Sequence, residues 1–161
     1  FFSLSTAVIV FVSRLGFLPA NFSSLGSFGF FGQPVLYVST ILAFDIFVKG
    51  LYPGFWITYL GFAAYPLLGK FSQNNLKKQI LYLPAASFLF FLISNFGVWW
   101  YWYDHSFSGL MTCYLLAVPF YTRTLIGDLL FGYGYLMVRH FNFLKSMILT
   151  RLSKIKLTTT P

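Results

Sequence analysis

Long apolar runs follow one another along the whole chain, separated by basic residues that stand singly or in pairs. That pattern limits the fold more than any motif does. A water-soluble globule needs polar side chains across its outside, and an ordinary soluble domain is roughly 25% charged. Here 9% of the 161 residues are charged, 58% are hydrophobic and 23% aromatic, so acyl chains are expected to cover much of the surface. The deficit is spread along the sequence, which predicts a polytopic membrane protein.

A hydrocarbon core about 30 Å thick takes roughly 20 apolar residues per helix. Six segments qualify, at about 1–13, 25–48, 51–69, 79–100, 107–120 and 124–138, the fifth short enough to be tilted, buried or partly re-entrant. The expected fold is therefore all-α, a single bundle of about six transmembrane helices over residues 1–140. A basic tail over 141–161, amphipathic on a membrane surface or simply solvated, follows it. Residue 1 is Phe, so the start is read as processed or incomplete. The stretch 1–13 ends at Arg14 and lacks a basic n-region and a small-residue cleavage site, so it is not read as a signal peptide.

The separators agree with this division. Pro19 and Asn21 break the chain after the first segment, residues 49–53 (KGLYP) make a tight turn, and 70–78 is the most polar internal loop. The run Trp99-Trp100-Tyr101-Trp102-Tyr103 before Asp104 and His105 suits the headgroup level, where amphipathic rings collect; a ligand-stacking site is the alternative. With six crossings both termini share one side. Arg14, Lys70, Lys77, Lys78 and Arg123 then face one way, and Lys49, Arg139, Lys145, Arg151, Lys154 and Lys156 the other, a nearly even division.

The net charge of +8 does not imply nucleic acid, because the basic residues are not clustered on one wet face. Cys113 is the lone cysteine, which excludes an intramolecular disulfide and a thiolate metal cluster. His105 and His140 have no second pair of ligands, so neither a metal nor another cofactor is expected. Cys113 lacks an orienting carboxylate, no phosphate-binding glycine loop is present, and the chain is not expected to be an enzyme. Glycines at 26, 29, 132 and 134 are read as sites of close helix packing.

Two of the three acidic residues, Asp45 and Asp128, fall inside apolar segments. Burying a carboxylate in lipid costs several kcal/mol, so each should face the bundle interior, a cavity or a partner. Asp45 can pair with Lys49 one turn later, and Asp128 can favour the positive end of a helix beginning near Arg123. Asn95 can bridge helices through its amide, and Asn21 can cap the helix that follows.

Four stretches taken together carry a family likeness: residues 14–32 (RLGFLPANFSSLGSFGFFG), 94–99 (SNFGVW), 113–120 (CYLLAVPF) and 124–131 (TLIGDLLF). In order and spacing they resemble a family of small bacterial membrane proteins that is itself similar to the S, or substrate-binding, subunits of energy-coupling-factor transporters. The resemblance covers most of 14–140. It implies an S-component-like six-helix bundle with a small pocket near one membrane face, and points to Asn21, Phe22, Ser23, Asp45, Asn95, Trp99, Tyr114 and Asp128 as substrate-binding positions. The chain departs from the pattern at Phe17, Leu18, Ala20 and Ser24, where proline and histidine are usual, and at Arg123, where asparagine is. Ser3 and Ala7 replace the small-residue pair with which S subunits dock their coupling partner. These departures imply a reduced pocket.

Two functions follow as expectations. One is a membrane subunit that captures a small solute and works with other transporter chains. The other is a non-catalytic accessory subunit of a larger bacterial or organellar membrane complex, packing its aromatic surface against other integral subunits, lipids or pigments. Either places the protein in the bacterial inner membrane or an organellar membrane.

Overall fold

The computed structural model describes the backbone over residues 25–158, and all its regular elements there are helical. The expected first segment, the site positions Asn21, Phe22 and Ser23, and the docking positions Ser3 and Ala7 lie outside the described residues. In chain order the elements are α1 (Leu25–Phe31), α2 (Pro34–Phe44) with a π-helical turn (Asp45–Lys49), α3 (Phe55–Phe62), α4 (Ala64–Phe71), α5 (Leu76–Trp102) and α6 (Phe107–Thr158).

Two of these helices are long and apolar enough to cross a membrane: Leu76–Trp102 and the Phe107–Phe143 part of α6. The helices depart from the six expected segments in three places. The segment 25–48 is two helices, because Pro34 starts a new one and its missing N–H suits a first turn. The segment 51–69 is likewise split, with α3 and α4 meeting at Ala63. The segments 107–120 and 124–138, in contrast, are one continuous helix running through Arg123 and past residue 140. No glycine or proline interrupts residues 120–126, and the hydroxyls of Thr122 and Thr124 are satisfied within the helix by the carbonyls of Val118 and Phe120. Arg123 is therefore exposed on a helix side, not in a loop. The division of charges changes with it: Arg139 and Lys70 line one cavity and lie at the same end of the bundle.

The polar loop and the aromatic run mark the two ends of α5. Asn75 caps its start, the side-chain oxygen accepting the Lys78 N–H at 3.0 Å, and the helix stops at Trp102. At the turn before α3, Gly50 and Gly54 have φ of 78° and 80°, a region that glycine enters without steric cost.

The core cluster joins Leu25, Phe28 and Phe30 of α1 with Tyr37, Ile41, Tyr65, Leu83 and Ala86. The Tyr37 ring meets Phe28, Phe62 and Tyr65 edge-on, the arrangement aromatic quadrupoles favour. Pro84 interrupts the α5 ladder, since it has no N–H to offer the carbonyl of Ile80. Tyr133 of α6 supplies the substitute, its hydroxyl donating to that carbonyl at 2.9 Å. The proline thus becomes a point of attachment between the two long helices.

Glycine packing is as expected at three positions. A Cβ on Gly26 would run into the Asp128 carboxylate, one on Gly29 into the Tyr37 ring, and one on Gly132 into Leu83, whereas Gly134 faces open space.

Candidate functional site

Both carboxylates of the apolar segments are turned inward, Asp128 fully buried and Asp45 5% exposed. Asp128 lies far inside α6, so the positive end of a helix at Arg123 does not account for it. Its Oδ2 accepts the Tyr65 hydroxyl of α4 at 2.6 Å, and its main-chain carbonyl accepts the Ser27 hydroxyl of α1 at 2.8 Å. The Ser87 hydroxyl and the N–H groups of Gly26 and Ser27 also face the carboxylate. None reaches Oδ1 with full hydrogen-bond geometry, so that oxygen and the Ser87 hydroxyl lack a well-formed bond. Four helices therefore converge on one carboxylate, and neutral donors surround it. The arrangement clamps α1, α4 and α5 onto α6, because separating any of them would leave a buried carboxyl group with fewer hydrogen-bond partners.

Asp45 opens the π-helical turn, where its Oδ2 accepts the Tyr59 hydroxyl of α3 at 2.9 Å. Its partner is thus a phenol fourteen residues on. The side chain of Lys49 lies outside the described residues.

Asn95 does not bridge helices through its amide. The amide donates to the Phe91 carbonyl one turn back in α5 at 2.7 Å, while the main-chain carbonyl of Asn95 accepts the buried Cys113 thiol at 3.5 Å. Tyr114 crosses from α6 to the Leu92 carbonyl of α5 at 2.6 Å. Trp99 lies at the far end, its indole N–H on the Asp104 carbonyl at 3.1 Å and its ring edge-on to His105. Trp100, Tyr101 and Trp102 beside it are exposed.

The described site residues thus form no single constellation. Asp128, Asp45, Asn95 with Tyr114, and Trp99 occupy four places. Sequence reasoning missed Tyr65 and Tyr59, which share the burden of the two carboxylates. No spacing along the chain signals them, because each tyrosine comes from a different helix than the carboxylate it meets.

One cavity does collect the stretches that carry the family likeness. It has a volume of about 180 Å³ between α5 and α6, and Ser94, Asn95, Ala117, Phe120 and Thr124 line it, with Tyr121 closing a side. Ser94, Asn95, Ala117, Phe120 and Thr124 come from three of the four stretches, whereas Phe90, Phe91 and Tyr121, which complete the wall, lie outside them. A larger cavity of about 320 Å³ lies at the opposite end of α5 from Trp99, with Lys70, Gln73, Asn74, Gln79 and Arg139 on its wall. Among the described residues no group of three or more histidine, cysteine or acidic side chains is placed to hold a metal.

Comparison with curated proteins and with solved structures gives no match. Residues 1–152 match the family of unknown function DUF6580, and the chain belongs to that family.

Proposed function

We propose that the chain is an integral membrane subunit that captures a small solute for a transporter, in the manner of S components, with the cavity at Asn95 as its pocket. Membrane insertion is supported by the two long helices. In the most apolar windows of α5 and α6 only 28% and 17% of residues are buried, whereas the core helix of a soluble protein is mostly buried. Large apolar side chains such as Leu81, Leu115 and Leu130 point outward instead. Lipid is the solvent such a surface suits.

The solute reading rests on the convergence of three family-like stretches around one cavity. Its walls are aromatic, from Phe90, Phe91, Phe120 and Tyr121, with a few polar groups from Ser94, Asn95 and Thr124, the composition of a small-molecule pocket. At about 180 Å³ it lies below the common range of roughly 300–1,000 Å³ and suits only a compact molecule. The chain carries no nucleotide-binding motif, so uptake would require partner chains. A thermal-shift screen of water-soluble metabolites tests this reading, with Ala117→Phe as the filled-pocket control. A stabilising solute whose effect vanishes in Ala117→Phe supports it. The absence of any such solute, together with copurifying partners that include no transporter ATPase, sinks it.

The second reading, a non-catalytic accessory subunit of a larger membrane assembly, draws on the Asp128 region. There Asp128, Tyr65, Ser87 and Leu83 are packed to nearly complete burial, as befits a scaffold. Recovery as a stoichiometric part of a stable complex, unchanged by Ala117→Phe, would favour it.

A further inference from the structure

At the end of the bundle where α5 begins, three hollows adjoin one another. The cavity of about 320 Å³ has Lys70 and Arg139 on its wall, with the amides of Gln73, Asn74 and Gln79. A second, of about 250 Å³, shares Asn74, Gln79 and Arg139 with it and adds His140. A third, of about 440 Å³, shares Leu76, Leu136 and His140 with the second and is otherwise apolar, lined by Ile80, Tyr133, Met137 and Phe141. A polar, cationic recess thus adjoins a greasy groove along α5 and α6.

The charges there are not neutralised from within. The chain has three acidic residues, and none lines any of the three hollows. Asp45 is held by Tyr59, Asp128 is buried against Tyr65, and Asp104 sits beside Trp99 at the other end of α5. Two cations flanked by three amides present hydrogen-bond donors to an oxyanion, and an arginine can grip a phosphate with two parallel bonds. In the adjoining groove His140 stands on the border shared with the polar recess, and beyond it the walls are apolar apart from the Tyr133 hydroxyl, which donates to the Ile80 carbonyl. An occupant matching both halves carries an oxyanion at one end and a hydrocarbon chain at the other.

We propose that these hollows form a binding site for an anionic phospholipid, the phosphate between Lys70 and Arg139 and one acyl chain along Ile80, Tyr133, Leu136 and Met137. This site is separate from the Asn95 cavity and does not depend on the solute reading. It differs from a general attraction of a basic protein to an acidic surface, because it assigns the effect to two of the eleven basic residues.

The test uses the full chain in a neutral detergent, titrated with phosphatidylglycerol or phosphatidylcholine and read by thermal unfolding and by native mass spectrometry. Phosphatidylglycerol should bind and stabilise, and phosphatidylcholine should do so much less. Lys70→Gln with Arg139→Gln, both exposed side chains, should leave the lipid-free melting point in place and weaken phosphatidylglycerol binding roughly tenfold or more, as loss of hydrogen bonds to a charged group implies. Met137→Trp, which fills the groove, should weaken binding of the long-chain lipid while sparing the lipid-free protein. Lys77→Gln with Lys78→Gln, outside the hollows, should change little. Equal response to the two lipids, an equal loss in the Lys77/Lys78 pair, or the same stabilisation by inorganic phosphate alone would each overturn the assignment.

Discussion

Tyr65 and Asp128, 63 positions apart in sequence, meet in a 2.6 Å hydrogen bond and are both almost wholly buried. Because the donor is a phenol and not a cation, the bond relieves part of the cost of burying a carboxylate without forming an ion pair. Tyr65→Phe should therefore destabilise the protein by about 0.5–3 kcal/mol, the range spanned by buried hydrogen bonds to neutral and to charged groups. Asp128→Asn, which keeps an acceptor and the side-chain volume, should cost less than Asp128→Ala. A double-mutant cycle of Tyr65→Phe with Asp128→Ala, followed by thermal unfolding in detergent, should give a coupling of about 0.5–3 kcal/mol. Additive effects would show that the bond contributes nothing.

The glycines make a graded series. A Cβ at Gly69 would collide with the Phe30 backbone carbonyl, and one at Gly26 with the Asp128 carboxylate. Both alanine variants should lose stability by about 1–3 kcal/mol, as overpacking does, with Gly69→Ala the worse because backbone yields less than a side chain. Gly134→Ala meets nothing and should gain about 0.5–1 kcal/mol from helix propensity. Melting points of the three variants under one condition decide the order.

Pro84 and Tyr133 are energetically linked through the Ile80 carbonyl. Tyr133→Phe should cost about 0.5–1.5 kcal/mol in the native background. In Pro84→Ala the restored N–H can close the helical ladder, and the same Tyr133→Phe change should then cost much less. An undiminished penalty would sever the link.

Placement across a bilayer can be read with thiol reagents, since Cys113 is the lone cysteine and is buried. In a Cys113→Ala background, Lys77→Cys in the first turn of α5 and Ser106→Cys beyond its end, both exposed positions, should react with an impermeant maleimide from opposite sides of sealed vesicles. Reaction of both from one side would show that α5 does not cross.

Several of these features were legible in the residues themselves. Two carboxylates in apolar surroundings pointed inward, the loop over 70–78 and the Trp99–Tyr103 run marked helix ends, and Gly26, Gly29 and Gly132 announced close contacts. Continuity of α6 was not legible, because Arg123 reads as a loop residue in a count of apolar windows, whereas a long side chain on an exposed helix face needs no break. The partners of Asp45 and Asp128 were hidden for a different reason. Tyr59 and Tyr65 sit on α3 and α4, and only tertiary packing brings their hydroxyls to the carboxylates. The dispersal of Asp45, Asn95, Trp99 and Asp128 is likewise a matter of how helices are arranged around one another, which no spacing along the chain records.

The unbroken course of α6 has a mechanical consequence. Its 52 residues make a rod of about 78 Å at 1.5 Å per residue, more than twice the depth of a hydrocarbon layer of about 30 Å. With Asp128 anchoring α6 among three other helices, insertion in a bilayer as proposed would leave much of its length outside the acyl layer. In that arrangement a push on the outlying part of α6 would be felt at the Tyr65–Asp128 junction.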